Sequence, residues 1–316
     1  MNAIPHIPVL LPEVVGALKP KDGGIYVDGT FGAGGYSRAI LGAADCQLYA
    51  IDRDPTAEDA AKQVALSFPA RFHFLPGCFG DMESLLPQEL VGRIDGIALD
   101  IGVSSMQLDQ AERGFSFAKD GPLDMRMGGD GQTAADLVNT LPEAELADLI
   151  YTYGEERKSR HVAHAIVRDR AERPFISTAQ LAFTVRGAVK GSKDGIDPAT
   201  RTFQALRIAV NDELGELERA LAAAETLLAP GGVLAVVSFH SLEDRIVKRF
   251  LDAKSGREAA PPRHLPHAVS TKTPPFALAS RRPVTAGDSE IRLNPRARSA
   301  RLRVAVRNPA DRGGAP

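Results

Sequence analysis

Short apolar strands and helical segments alternate over the first hundred residues of the chain. Strands are predicted at residues 25–28, 47–52, 72–75 and 94–101, and most of the intervals between them show helical periodicity. The strand at 94–101 is apolar on both faces, which is typical of a strand buried in a parallel sheet. This spacing predicts an α/β fold with a parallel sheet and right-handed crossovers.

The alternation breaks between about residues 107 and 211, where no strand is predicted. A glycine-rich loop there is followed by four helical stretches, the second of which is predicted to begin at residue 155. Ser177 is a candidate N-cap of the third stretch, and Pro198 is a first-turn residue of the fourth. The α/β pattern then resumes with a helix at 212–228, ended by Ala-Pro-Gly-Gly, and a strand at 233–239. A short helix, a proline-rich loop over about 259–297 and an antiparallel edge strand at 299–306 complete the prediction.

A glycine-rich loop, within YVDGTFGAGGYS at residues 26–37, joins the first predicted strand to the next helix. Glycines after a strand permit a sharp turn and bring backbone N–H groups close to a ligand. A dinucleotide motif of the G-x-G-x-x-G type would need a third glycine where this chain has Ser37. Asp28 ends the strand, and a carboxylate there disfavours a pyrophosphate and suits a ligand with a cationic amino group.

Asp52 ends the second predicted strand, where nucleotide-binding α/β folds place an acid that accepts hydrogen bonds from both ribose hydroxyls. An adenosine-bearing ligand with a positive amine and no phosphate fits S-adenosylmethionine better than NAD. The alternative is that the glycines serve chain geometry alone.

Asp100 ends the fourth predicted strand, so we expect Asp28, Asp52 and Asp100 to converge beyond the carboxyl ends of the strands. Three carboxylates are also able to bind a divalent cation. Their spread over three strands, without a partnering histidine, disfavours that interpretation, and no metal is predicted.

The charge distribution is more informative than the net charge of −2. Residues 151–207 hold 11 Lys and Arg against 6 Asp and Glu, and residues 281–316 hold 9 Arg against 3 acids. Two basic regions on an acidic body suit a polyanionic partner, although solvated helix faces and a loose tail explain them equally well. The absence of a membrane-length apolar run or signal peptide, together with two cysteines without metal-type spacing, predicts a cytoplasmic protein.

Nine segments, in this order, give the chain a resemblance to the bacterial small-subunit ribosomal RNA methyltransferase H family, and the resemblance covers nearly the whole chain. They are HIPVLLPEVV, YVDGTFGAGGYSRAIL, AIDRDP, DGIALDIGVSSMQLD, ERGFSF with DGPLDMRM, YGEER, ATRTFQALRIAVN, VVSFHSLEDRIVKRF and NPRARSARLR.

The resemblance implies a class I (Rossmann-like) methyltransferase sheet with an inserted all-helical lobe. Residues 1–106 and 212–316 would form the S-adenosylmethionine-binding domain, and residues 107–211 the substrate-recognition domain. The implied activity is methylation of the exocyclic N4 of a cytidine in the decoding region of 16S ribosomal RNA, with that RNA or the small ribosomal subunit as the partner. The cofactor contacts carried over by the resemblance fall on Gly34, Gly35, Tyr36, Asp52, Phe79, Asp100 and Gln107.

Two positions depart from the family pattern. The family often has histidine where this chain has Tyr36, so a role that needs an imidazole is not expected there, and Tyr36 would act through its backbone or ring. The family often has proline where this chain has Met106, a difference that loosens the turn after the fourth strand but removes no group that takes part in catalysis.

Asp100 and His240 are the candidate catalytic residues. A cytosine amine is a poor nucleophile, and a carboxylate or carbonyl that accepts its N–H would orient it and receive its proton. Asp100, or a nearby backbone carbonyl, is placed for that role. His240, in a turn after the strand at 233–239, would bind the base or a phosphate, or serve only the turn.

Two rival functions remain open at this point. A methyltransferase acting on a small molecule or a protein would have the same cofactor fold. A non-catalytic RNA-binding assembly factor would keep the fold without turnover. The sequence does not predict the oligomeric state, and a homodimer is one of the options.

Overall fold

The computed structural model describes residues 8–189, 195–257 and 273–309. The chain divides into two compact units, residues 1–102 with 214–316 and residues 103–213. Along the part of the chain that the structure describes, no helix is long and apolar enough to cross a bilayer.

The first unit is built on a seven-stranded sheet. Its strands are β1 Ile25–Asp28, β2 Gln47–Asp52, β3 Phe72–Pro76, β4 Ile94–Asp100, β5 Leu228–Ser238, β6 Phe276–Leu278 and β7 Arg301–Arg307. The sheet order is β3-β2-β1-β4-β5-β7-β6. Strands β1 to β5 run parallel to one another, and β7 runs antiparallel to both β5 and β6.

Apolar residues cover both faces of this sheet, as the sequence pattern requires. Successive strand residues alternate between two clusters, so that Tyr26 packs with the helix at residues 35–43 and Val27 with the helix at residues 213–227. The helices of this unit are α1 Leu11–Leu18, α2 Gly35–Ala43, α3 Ala57–Ser67, α4 Met82–Leu85, α11 Glu213–Leu227, α12 Ser241–Lys254 and α13 Asp288–Leu293. The first residue of α11, Glu213, belongs to the second unit.

The second unit is helical, and its described residues contain no strand longer than one isolated bridge. Leu146, Ile150, Val162 and Leu181 lie in its apolar core. Its helices are α5 Ser105–Asp109, α6 Ala134–Thr140, α7 Glu143–Gly154, α8 Ser159–Glu172, α9 Thr178–Ala188 and α10 Ala199–Asn211. The predicted cap at Ser177 is confirmed, because its side chain accepts a hydrogen bond from Gln180 N.

Three details of the prediction are wrong. The sequence Ala-Pro-Gly-Gly does not end a helix but lies inside β5, where the pairing skips from Leu228 to Val233 and Gly231 takes a φ of +85°. The last strand is not an edge, because β6 pairs with it on the outer side. The helix predicted from residue 155 begins at Ser159, since Glu155 ends the preceding helix with a φ of +50°.

Candidate active site

The glycine loop between β1 and α2 is held by both strands that flank β1. Gly29 N donates to Ala98 O of β4 at 2.9 Å, and Phe31 N donates to Ile51 O of β2 at 3.0 Å. Gly34 has a φ of +78°, and a Cβ there would lie 2.8 Å from the Phe31 ring. Backbone conformation and packing therefore both require glycine at position 34.

Gly35 opens α2 against the N-terminal segment. A Cβ on Gly35 would lie 2.0 Å from Pro8 Cγ, whereas a Cβ on Gly42, in the same helix, would meet nothing within 4 Å. Gly35 and Gly42 thus lie in the same helix but differ in their surroundings, so alanine substitutions at the two positions can be compared directly.

We expect Gly35→Ala to lower the free energy of unfolding by about 1–3 kcal/mol, because Pro8 must move away. Gly42→Ala should instead raise it by up to about 1 kcal/mol, since alanine is the better helix former. Urea unfolding of both variants measures the difference. Equal effects would show that the contact between Gly35 and Pro8 imposes no constraint.

Asp28 supports the loop from inside the protein. Its side chain is completely buried, Ser37 Oγ donates to Oδ2 at 2.7 Å, and Thr30 N donates to Oδ1 at 3.3 Å. Burial raises the pKa of Asp28 to about 6, against the opposing effect of the Ser37 hydrogen bond. The Asp28 carboxylate has no exposed surface in this structure, and its expected contact with a cationic amine stays a prediction.

The raised pKa of Asp28 makes a prediction about stability and pH. The folded state binds this proton more tightly than the unfolded state, so the contribution of Asp28 to stability falls as pH rises from about 4 to about 6. Asn in place of Asp28 can still accept from Thr30 N and can donate to Ser37 Oγ. We expect Asp28→Asn to gain up to about 3 kcal/mol over the wild type between pH 4 and pH 7. Urea unfolding at four pH values across this range would refute the assignment if the two curves stayed parallel.

Asp52, at the end of β2, connects the glycine loop to the turn after the strand. Gly32 N donates to Oδ2 at 2.7 Å and Asp54 N donates to Oδ1 at 2.8 Å, so each carboxylate oxygen holds one backbone amide. Burial raises the pKa of Asp52 above its usual range. Each oxygen keeps a further lone pair that can accept from another group.

Asp100, at the end of β4, has a buried oxygen without a hydrogen bond. Its backbone N donates to Thr30 Oγ1 at 2.7 Å, which fixes the end of β4 to the glycine loop. Among the described residues, nothing donates to Oδ1. Burial, followed by repulsion from Asp28 and Glu243, raises the pKa of Asp100 well above its usual range. An orphaned buried oxygen at the carboxyl end of a strand marks a place for a ligand.

Tyr36 and Phe79 differ in how deeply their side chains are buried. Tyr36 is buried, and its hydroxyl donates to Val9 O, while burial raises the pKa of its phenol well above the usual value. Its backbone is thus the part that can meet a ligand. Phe79 begins a 3-10 turn after β3, is half-buried, and lies against the start of the glycine loop at Gly29.

Gln107 belongs to the helical unit and is buried in a local turn. Its Oε1 accepts from Ser104 N at 2.9 Å, and its own N donates to Ser104 Oγ at 3.2 Å. Its cofactor contact stays a prediction.

His240 caps α12 beyond the end of β5. Strand β5 pairs with β4 up to Asp100 and Val237, so His240 follows the strand end next to Asp100. Glu243 Oε2 accepts from His240 N at 3.2 Å. Glu243 is not among the residues predicted for the site, although the spacing His-x-x-Glu before a helix is similar to that of a capping box.

Basic residues of the two regions that suit a polyanionic partner, 151–207 and 281–316, lie on the surface, and some of them also contact acids. Arg157, Lys158 and Arg160 are exposed on the helical unit, whereas Arg201 Nη1 lies 3.7 Å from Glu156 Oε2. In the other unit, Arg296 and Arg298 are exposed, and Arg301 Nη1 donates to Asp244 Oδ2 at 2.9 Å. His164 lies 3.3 Å from Glu143 Oε1 on an exposed surface.

The glycine loop, Asp52 and Asp100 come together where the strand order reverses between β1 and β4, which is where open α/β sheets bind ligands. This sheet order, with its antiparallel seventh strand, and this loop define a class I (Rossmann-like) methyltransferase, for which S-adenosylmethionine is the cofactor.

The sequence model of the MraW methylase family matches residues 3–308, and the chain belongs to this family. Three similar relatives each carry the name ribosomal RNA small subunit methyltransferase H. The relative from Rhodospirillum rubrum is 64% identical, over 97% of this chain and 96% of its own length. Those from Paramagnetospirillum magneticum and Gluconobacter oxydans are 63% and 59% identical, over 98% of this chain and 98% and 97% of their own lengths.

Proposed function

We propose that this protein methylates the exocyclic N4 of a cytidine in the decoding region of 16S ribosomal RNA, with S-adenosylmethionine as methyl donor. The observation that carries the proposal is the near full-length similarity to relatives named ribosomal RNA small subunit methyltransferase H. The choice of cytidine N4 rests on the motifs that run in family order along the whole sequence. A ribosomal substrate also implies action in the cytoplasm.

The residues around the glycine loop fit S-adenosylmethionine. Asp100 Oδ1 is buried without a hydrogen-bond donor among the described residues, and the first turn of α2 contains no acidic side chain. The positive end of the α2 dipole therefore suits the methionine carboxylate. Asp52 has lone pairs left for the ribose hydroxyls, and Phe79 is only half-buried, so its ring is proposed to lie against the adenine. The residues proposed to hold the cofactor are Gly34, Gly35, Tyr36, Asp52, Phe79, Asp100 and Gln107.

When bound, S-adenosylmethionine supplies a methyl group on a positively charged sulfur. The protein then has to align the amine with that methyl group and help it lose a proton. A positive charge beside Asp100 favours the ionised carboxylate, in spite of the raised pKa of this group. The ionised Oδ1 accepts an N–H of the cytosine amine and orients its lone pair, and His240 is the second group proposed to contact the substrate.

The basic residues are proposed to hold the RNA backbone while the target base is presented. Exposed arginines and lysines on a protein surface bind phosphates and fix the register of the nucleic acid. The target cytosine has to leave its stack before its amine reaches the cofactor. The proposed phosphate contacts are Arg157, Lys158, Arg160, Arg201, Arg296, Arg298 and Arg301.

The experiment that tests the function follows labelled methyl groups from S-adenosylmethionine into RNA. Small ribosomal subunits from a strain that lacks this gene, and naked 16S RNA from the same strain, are the two substrates, and the modified nucleoside is identified by mass. We expect N4-methylcytidine, and the better substrate tells whether assembly is required. A subunit from the parent strain, already methylated, is the control and should accept no label.

Two outcomes would replace the proposal. Cofactor binding without RNA methylation would favour a small-molecule or protein substrate. Absence of cofactor binding would favour a non-catalytic assembly factor.

A further inference from the structure

Glu243, in the first turn of α12, is a fully buried carboxylate whose two oxygens serve different purposes. Oε2 accepts from Phe239 N at 2.8 Å and from His240 N at 3.2 Å, which satisfies two amides ahead of the helix. These two hydrogen bonds account for one oxygen only.

The second oxygen, Oε1, faces the imidazole of His240. It lies 2.8 Å from Nε2, but the geometry is not that of a hydrogen bond. Oε1 and both ring nitrogens are buried, and none of the three has a hydrogen-bond partner among the described residues. Unsatisfied buried polar atoms cost free energy, so three of them in one pair of side chains need an explanation.

Capping alone does not explain a carboxylate at position 243. Glutamine satisfies the same position in a capping box, and it avoids the cost of burying a charge. In a carboxylate both terminal atoms are hydrogen-bond acceptors, whereas an amide has one acceptor oxygen and one NH₂ donor. The second acceptor of Glu243 is Oε1, the oxygen that faces His240.

We propose that Glu243 is a positioning residue for His240: Oε1 accepts from Nε2–H, which leaves Nδ1 of the neutral ring as an acceptor for the substrate amine. This inference rests on the proposed methyl transfer to an exocyclic amine. Such a nitrogen gains a methyl group and loses one proton, and Nδ1 takes that proton. The resulting imidazolium keeps its Nε2–H on the carboxylate. Hydrogen bonds of this kind are often poorly aligned in a ligand-free site and tighten when substrate binds.

The position of the pair agrees with this role. His240 follows the end of β5, and β5 pairs with β4 through Val237 and Asp100. Asp100 Oδ1 is a further buried oxygen without a donor. The neighbouring ends of β4 and β5 thus carry two acceptors for a cytosine amine. Asp100 orients the amine, and His240 receives its proton.

The decisive variant is Glu243→Gln. The amide oxygen can still cap Phe239 N and His240 N, while the NH₂ group replaces the oxygen that faces Nε2. We expect the melting temperature and the KM for S-adenosylmethionine to stay near the wild-type values, and kcat to fall about 10- to 100-fold. His240→Asn should lower kcat at least as much, and the double variant should fall no further than His240→Asn. Glu225→Gln is the matched control, since Glu225 Oε2 only pairs with Lys254 at 2.7 Å.

A second readout does not depend on turnover. Nitrogen-15 NMR of the ligand-free protein, with the His240 signals assigned among seven histidines by their loss in His240→Asn, reports which ring nitrogen carries the proton. We expect Nε2–H in the wild type and a shift toward Nδ1–H in Glu243→Gln.

Wild-type kcat in Glu243→Gln, additive effects in the double variant, or Nδ1–H in the wild type would each overturn the inference. The wild-type spectrum decides the matter even if Glu243→Gln does not fold. Failure of the wild-type enzyme to methylate RNA would instead contradict the proposed function.

Discussion

Asp100→Asn is expected to lower kcat about 100-fold or more while the protein stays at least as stable as the wild type. The loss follows because a neutral amide oxygen accepts the N–H of the amine more weakly than an ionised carboxylate does, so the amine that passes its proton to His240 is less well oriented. Stability is preserved because Asp100 Oδ1 has no hydrogen bond to lose among the described residues, and because burial and two neighbouring acids disfavour its charge. Single-turnover methyl transfer and urea unfolding measure the two effects on one preparation.

A binding measurement with S-adenosylmethionine separates the possible roles of Asp100. Full turnover with unchanged cofactor affinity would refute the carboxylate role. A loss of stability of several kcal/mol would show instead that Asp100 supports the fold. Asp95→Asn, on the same strand, is the control, since Asp95 contacts Ile25 N and Lys21 away from the strand end.

Asp52→Asn is expected to weaken the affinity for S-adenosylmethionine about 100-fold. The two carboxylate oxygens accept from two different backbone amides, Gly32 N and Asp54 N. Asparagine has one acceptor oxygen, so its NH₂ group must face one of these donors, and the turn that carries Gly32 loosens. The loss of the ionised acceptor for the ribose adds to this effect.

Calorimetric titration with S-adenosylmethionine and with S-adenosylhomocysteine measures this change. Both ligands share the ribose, so both should weaken by a similar factor. Unchanged affinity for both would contradict the role of Asp52. Asp45→Asn, at an exposed site 3.5 Å from Arg71 Nε, should leave binding unchanged.

The parallel sheet was predictable because its signals are local. Each strand is a short apolar run, and the glycine loop that follows β1 needs glycine at position 34 for backbone and packing reasons. The cap at Ser177 is equally local, since its hydrogen bond spans three residues. Local structure of this kind is predictable because neighbouring residues decide it.

The features that escaped prediction depend on contacts between distant residues. Strand β6 has only three residues in a proline-rich stretch, and it exists because β7 pairs with it. The contact between Pro8 and Gly35, and the Ser37 bond that keeps Asp28 inside, likewise follow from the folded arrangement.

The candidate site shows the same division. Asp52 and Asp100 were predicted as ligand residues from their places at strand ends, and those assignments stay predictions. Which carboxylate supports the loop and which is left for a ligand depends on hydrogen bonds that only the folded chain forms. Ser37 and Thr30 donate to Asp28, whereas no described residue donates to Asp100 Oδ1. Glu243 was not predicted as a functional candidate because the position of its Oε1, 2.8 Å from His240 Nε2, is known only from the folded structure.

The most direct test of this account is a crystal structure of the protein with S-adenosylhomocysteine bound. We predict that the ribose hydroxyls lie within hydrogen-bond distance of Asp52, that the adenine lies against Phe79, and that the sulfur end of the ligand points toward Asp100. A ligand bound away from the carboxyl ends of β1, β2 and β4 would contradict the account.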